Sequence, residues 1–529
     1  MAVEGSTNES NPETQALTEE PPTRLAGILR RLGPGLILAG GIVGSGELIA
    51  TTKTGAEAGF WLLWLILIGC VIKVFVQIEL GRYAIVGGKT TIDALSEVPG
   101  PRISGRGNWI VWYWLLMFVA VLGQSGGIVG GVGQALAMTV PLTDDARVYY
   151  RYVDAEAELK VKQAELRAEG ERVQAGEGDA SKLDSLTVEE SKLRARLASF
   201  AEKPPEPYDD RIWATVITAV TALVLVFGRY GLIQSFATVM VIMFTIITVV
   251  NVIMLQTHAD WAVKPDDIVR GFSFRLPPTD GGAVTTALAT ALATFGIIGV
   301  GATELVSYPY WCIEKGYARF TGARDDSEEW ATRARGWMRV MRWDAWSSMA
   351  LYTFATLAFY LLGAAVLGRS GLNPGGTEMI RTLAVMYEPV FGSVAQWLFL
   401  FGAFAVLYST FFVGSAGHAR VLSDVLRVVR ITPQSERAYR KSVRVLSGVI
   451  PFVALTFYLF IQRPALLVLM SGLMQAIMLP MLAVAALYFR YRRSDPRVRP
   501  GRAWDTFLWI SAAGMVVAGL WAAWEKLTS

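Results

Sequence analysis

The sequence predicts an all-α polytopic membrane protein made of two inverted five-helix repeats and an eleventh transmembrane helix. Three observations lead there. Over half of the 529 residues are apolar, and many apolar runs exceed the ~20 residues needed to cross a hydrocarbon core. A Gly-rich stretch carrying a glutamate occurs once in each half of the chain. Lys and Arg gather in alternate loops.

Residues 1–30 are polar and acidic at their start and have no apolar h-region, so they read as a disordered cytoplasmic tail without a signal peptide. Residues 31–140 hold spans one to three, at 33–54, 60–85 and 109–140. Residues 141–210 form an insertion. Its Ala, Glu, Lys, Arg and Leu content, with Gly176 and Gly178 in the middle, predicts an external helical hairpin of coiled-coil type ended by Pro204, Pro205 and Pro207. Residues 211–255 hold spans four (212–227) and five (233–255). Residues 283–490 form the second repeat, with spans at 283–313, 346–367, 390–413 with a helical extension, 446–461 and 464–489. Span eleven lies within 504–527.

Orientation follows from the bias of Lys and Arg toward cytoplasmic loops. With the amino terminus inside, three basic loops fall on the same side. They carry Arg333, Arg335, Arg339 and Arg342 after span six, Arg420, Arg427, Arg437 and Arg440 after span eight, and Arg490, Arg492, Arg493 and Arg497 after span ten. The insertion falls outside. Span one then runs outward and span six inward, which makes spans one to five and six to ten inverted repeats.

The repeated stretch is Gly44-Ser45-Gly46-Glu47-Leu48-Ile49 in span one and Gly301-Ala302-Thr303-Glu304-Leu305-Val306 in span six. A carboxylate within a span is costly and usually functional. A Gly-interrupted span at matching places in two halves points to the substrate site of a repeat-built transporter. Glu47 and Glu304 are therefore the candidate charge-bearing ligands. The alternative for Glu47 is a plain ion pair with Lys53 or Lys73. Lys73, in the middle of span two, either fills a vacant cation site as a fixed charge or counters a glutamate.

Further residues carry a resemblance. Gly33-Pro34-Gly35, the first break and Thr54-Gly55-Ala56-Glu57-Ala58-Gly59-Phe60 resemble the start of the natural resistance-associated macrophage protein (Nramp) metal transporters. So do Leu62-Leu63-Trp64 with Gln77, Arg82 and Gly87, Asp344 opening span seven, and Ala416-Gly417-His418 in span eight. The resemblance implies the LeuT-type fold and a divergent, Nramp-related member. The family's Asp-Pro-Gly-Asn falls on Gly44-Ser45-Gly46-Glu47. Its Met and His in span six fall on Leu305 and Ser307, and its span-eight Gln on Leu407. Its acidic proton-path residues fall on Phe118, Ser125 and Ile128.

Two midplane carboxylates favour a cation. Without thioether or imidazole, the donors suit hard ions of the Mg or Mn kind. The small residues Gly44, Ser45 and Ala302 leave room for a hydrated metal, and equally for a guanidinium or ammonium compound with Tyr308, Tyr310 or Trp311 as cation–π partners. The candidate substrate-binding residues are thus Gly44, Ser45, Glu47, Ala302, Glu304, Ser307 and Tyr308. Glu47 and Glu304 are the metal ligands, and Lys73 and His418 the candidates for charge coupling.

The expected function is secondary transport of a divalent cation by alternating access. The alternatives are an organic cation carried by the same fold, or a non-transporting sensor or scaffold. No Walker-type phosphate loop and no Ser/His/Asp hydrolase signature is present, and an enzyme is not expected. No resident cofactor is expected, only the transported cation. The expected partners are membrane lipid and that small cation, with no nucleic acid. The partner of the hairpin stays open. The expected location is a plasma or inner membrane.

Overall fold

The computed structural model describes residues 18–103, 107–176, 178–200, 202–227, 230–278 and 283–528. Ten helices among them are long and apolar enough to cross a membrane. An eleventh, Tyr230–Leu255, stands in the place of span five. Among the described residues the only β contact is an isolated bridge between Arg102 and Asn108. The chain is a helical, multi-pass membrane protein.

Span one begins as a helix at Pro34–Ile42 and breaks at residues 43–44. It resumes as a wide, π-type turn over Ser45–Thr51 and ends as an α-helix over Thr52–Ala58. Span six is a helix over Ala283–Ile297, a break at residues 298–301, and a second helix over Ala302–Lys315. Gly299 holds φ +57 in that break, a left-handed conformation that favours glycine. The second break thus lies just before Glu304 rather than through it, and Glu304 belongs to the first turn of the resumed helix.

Asp344 fixes where span one starts. Its carboxylate accepts from the amides of Gly33 (2.8 Å) and Gly35 (2.5 Å), and the Tyr308 hydroxyl donates to it at 3.1 Å. An anion at a helix N-terminus is favoured by both the free amides and the helix dipole. Span seven is longer than its apolar run suggests, covering Glu328–Leu362 before a wide turn at Gly363–Gly368. Residues 328–345 have too many arginines to register as a membrane span. Trp330, Ala331, Ala334, Trp337, Met338 and Met341 nevertheless recur at helical spacing and are buried.

Residues 1–17 of the expected tail lie outside the described residues. The remainder departs from a disordered tail. Leu25–Arg31 is a helix, the Glu19 amide donates to Phe320 O (3.1 Å), and Trp337 Nε1 donates to Glu19 O (2.8 Å). Isolated, this stretch is too polar to order itself; the aromatic residues of the span six–seven connection supply its support.

The insertion is a pair of helices, Asp144–Gln174 and Ala180–Ala198. It is docked on the connections after spans five and seven. Arg381, buried on the latter, donates to Asp154 (2.5 Å) and Glu388 (2.7 Å). Asp260, on the former, pairs with Arg172 (3.1 Å) and Lys182 (2.8 Å). The connections after spans three, five and seven therefore share one face. The amino-terminal segment and the Arg-rich connections share the other, where Arg497 meets Asp325 and Ser327.

Candidate functional site

Beside the two breaks, among spans one, three, six and eight, lies a cavity of about 30 Å³. Its walls include Glu304, Ser307, Gln124, Thr410 and His418. Such a volume holds one or two water-sized particles. Residues Leu38 and Gly41, from the first half of span one, also line it, so the cavity lies on the amino-terminal side of the breaks.

Glu304 is half-buried, and Thr303 Oγ1 lies 3.0 Å from its Oε2. A side chain at Gly301 would collide with that oxygen, so the carboxylate is folded back over the helix start, where a negative charge is favoured. The cavity face of this helix runs through Glu304, Ser307 and Trp311, three and four residues apart.

Glu47 is placed differently. It is fully buried and does not line the cavity. Its Oε1 accepts from the Gly299 amide (3.2 Å) and the Thr356 hydroxyl (3.3 Å), and its Oε2 accepts from the Gly44 amide (3.4 Å). The carboxylate of one broken helix thus holds the break of the other. Two features turn it away from Glu304, namely the wide turn over Ser45–Thr51 and the left-handed Gly299, which aims its amide at Glu47. The expectation that both carboxylates face one cavity is therefore not met in this conformation.

Neither glutamate is in an ion pair with Lys53 or Lys73. Lys53 pairs with Glu57 (3.0 Å). Lys73 Nζ donates to Phe295 O (2.7 Å) and Ile298 O (2.5 Å) and stands 5.1 Å from the Phe295 ring centre.

Of the other candidates, Ser45 accepts from Gln124 Nε2 (3.0 Å). Gly44 sits against span eight, where Thr410 Oγ1 occupies the space a Cβ would take. Ala302 is buried beside the break but does not line the cavity. Tyr308 departs from its expected role. It lies on the neighbouring helix face with Leu305 and Cys312, and its hydroxyl is given to Asp344. Of the three aromatics only Trp311 reaches the cavity, and the Arg420 guanidinium lies over its ring at 4.6 Å. His418 lines the cavity, with its ring edge-on to Phe118 and Nδ1 without a hydrogen-bond partner.

Several polar residues escaped the sequence reading. Gln475 of span ten donates to Gln124 Oε1 (2.6 Å) and accepts from the Thr303 hydroxyl (2.8 Å), and Ser471 also donates to Gln124 Oε1 (3.1 Å). A chain of neutral amides and hydroxyls therefore runs from Ser45 at the first break to Glu304 at the second. The available signal was the amide itself, since a glutamine within a span needs partners. Among the described residues no three His, Cys, Asp or Glu side chains cluster as a metal would require. A cation at Glu304 would otherwise meet neutral oxygens and the His418 imidazole.

Comparison with known proteins gives the following. Residues 208–525, more than half of the chain, match the family described as natural resistance-associated macrophage protein-like. No curated protein matches the chain. A solved structure of a mutant manganese transporter from Eremococcus coleocola is similar at a TM-score of 0.60 and 13% identity, covering 95% of this chain and 88% of that one. The same transporter in complex with an aromatic bis-isothiourea substituted compound is similar at 0.57 and 14% identity, with the same coverage. At such identities the likeness concerns the fold, and its near-complete coverage takes in spans one to three and the first break, which precede the matched residues. The chain belongs to the Nramp family, and it is a multi-pass membrane protein with the LeuT-type arrangement of that family, a transporter scaffold rather than an enzyme.

Proposed function

We propose that this protein is a secondary transporter that moves a divalent metal cation, preferring hard ions of the Mg or Mn kind, by alternating access. The observation that carries this reading is Glu304. It is a partly accessible carboxylate at a helix break, in a small cavity with room for an ion. Thr303, Ser307, Gln124 and Thr410 add neutral oxygens to the lining, His418 adds one imidazole, and no sulfur lines the cavity. Carboxylate, hydroxyl, amide and water are the donors of hard cations. The family membership and the manganese transporter of the same fold support a metal as substrate.

In this reading Glu304 is the ligand on the amino-terminal side. Glu47 joins it when the halves move apart and the Gly299 amide is released. The Arg-rich face is cytoplasmic, the hairpin is outside, and the protein resides in a plasma or inner membrane.

A second reading, an organic cation of guanidinium or ammonium type, draws on the Trp311 face in the cavity. It requires a wider state than this one.

Titration calorimetry of purified protein with Mg, Ca, Mn and a panel of amines and guanidines tests both readings. Binding of a divalent ion that is lost in Glu304→Gln supports the first. Binding of amines alone overturns it.

A further inference from the structure

Lys73 is a fully buried lysine in the middle of span two. A buried ammonium ordinarily has a carboxylate beside it. Among the described residues no ion pair includes Lys73. Its partners are instead two backbone carbonyls, those of Phe295 and Ile298, at the end of the first half of span six.

These carbonyls exist as free acceptors only because the helix breaks there. The last carbonyls of a helix have no amide to accept from, and they carry the negative end of the helix dipole. With the Phe295 ring as a third wall at 5.1 Å, they form a seat of oxygen donors and an aromatic face, which is the chemistry that holds a monovalent cation.

We infer that Lys73 is a resident cation. Its tethered ammonium occupies a monovalent-cation seat at the break of span six, so the protein works without a sodium or potassium co-ion. Removing the ammonium leaves a seat that a free monovalent cation fills. The word co-ion rests on the transport reading above. The seat does not, so it is tested without any divalent substrate.

The test is the thermal stability of purified full-length protein in lithium, sodium, potassium and choline chlorides at equal ionic strength. The wild type should melt at the same temperature in all four. Lys73→Ala, which leaves the seat open, should be stabilised saturably by a small cation over choline, by about 2–4 °C. Lys73→Met, which fills the seat with an apolar chain, should be less stable than the wild type and indifferent to the salt. A saturable rise of the wild-type melting temperature with sodium or potassium over choline overturns the inference. So does a folded Lys73→Ala with no preference among the four salts, or a Lys73→Met as stable as the wild type. Should neither variant fold, the wild-type measurement alone decides. Failure of divalent binding with these results intact would remove the transport reading and leave the seat standing.

Discussion

The carboxylate of Glu47 accepts the backbone amide of Gly299 at 3.2 Å, so the broken helix of span one helps to hold open the break of span six. Glu304, its counterpart in the second repeat, faces the cavity instead. The two glutamates are alike in sequence and unlike in what they touch, and mutation should separate them.

Glu304→Gln should weaken divalent-cation binding at least about tenfold, the cost of roughly 1.4 kcal/mol, with little change in melting temperature, because its carboxylate faces the cavity and does not hold a break. Glu47→Gln should mainly lower the melting temperature, since an amide in that place brings its own donor against the Gly299 and Gly44 amides. Calorimetry and a thermal melt on the same preparations check this. Equal loss of affinity in both variants, with unchanged melting, would show that Glu47 is already a ligand in this state.

Gly44 is the place where the resemblance sets an Asp, and Thr410 Oγ1 fills the room that side chain needs. Gly44→Asp alone should therefore destabilise the protein, within the 1–3 kcal/mol typical of overpacking. Adding Thr410→Ala should recover part of that loss. The two effects should be strongly non-additive, as expected for residues in contact. A thermal melt of the two single variants and the double variant gives the coupling.

Leu305 is fully buried and lies off the cavity face. Manganese should bind no more tightly than magnesium, and Leu305→Met alone should not change that order. Competition of the two ions in a binding assay reads it directly. Manganese binding that excess magnesium cannot displace would contradict the hard-ion preference.

The closure of the hairpin on itself should depend on acid. The Asp179 amide, with Lys182 next, holds the Glu169 carboxyl below its usual range. A carboxyl with a lowered folded-state value contributes stability above its unfolded value of about 4.3 and loses it as the pH falls through the folded value. Proteolysis within residues 144–198 should thus accelerate below about pH 4 and be unchanged between pH 6 and pH 8. Replacing the hairpin with a short linker should leave cation uptake largely intact, because Arg381 keeps Glu388 when Asp154 is removed. A well-folded deletion with no uptake would tie the hairpin to the cycle.

Sidedness is open to labelling. Cys70 and Cys312 are both buried, so an introduced thiol reports alone. Ser191→Cys on the hairpin should react with an impermeant reagent on intact cells, and Gln434→Cys on the Arg-rich face only after permeabilisation. The reverse pattern would invert the orientation.

The spans, the two breaks and both glutamates were legible because each leaves a local mark. Apolar runs mark the spans, glycines the breaks, and a charge within lipid the glutamates. Asp344 and Lys73 were visible for the same reason, although their partners were not, since both bind backbone rather than opposite charge. The remainder of the site lacks such marks. Gln124, Thr356, Thr410 and Gln475 come from four different spans, and a neutral amide or hydroxyl in a span is common. Only folding brings them to one place. The different fates of Glu47 and Glu304 were hidden as well. The sequence repeat suggested symmetry, while the wide turn over Ser45–Thr51 and the left-handed Gly299 break it.

Span seven grips span one at two heights. Asp344 holds the amides at its start, and Thr356 bonds the carboxylate at its break. The two residues lie on one uninterrupted helix, about 18 Å apart along its axis. Span seven therefore acts as a lever with two handles. A tilt about a point between them carries the start of span one and its break in opposite directions. The start of span one and the latch between the breaks are thus joined through one rigid helix.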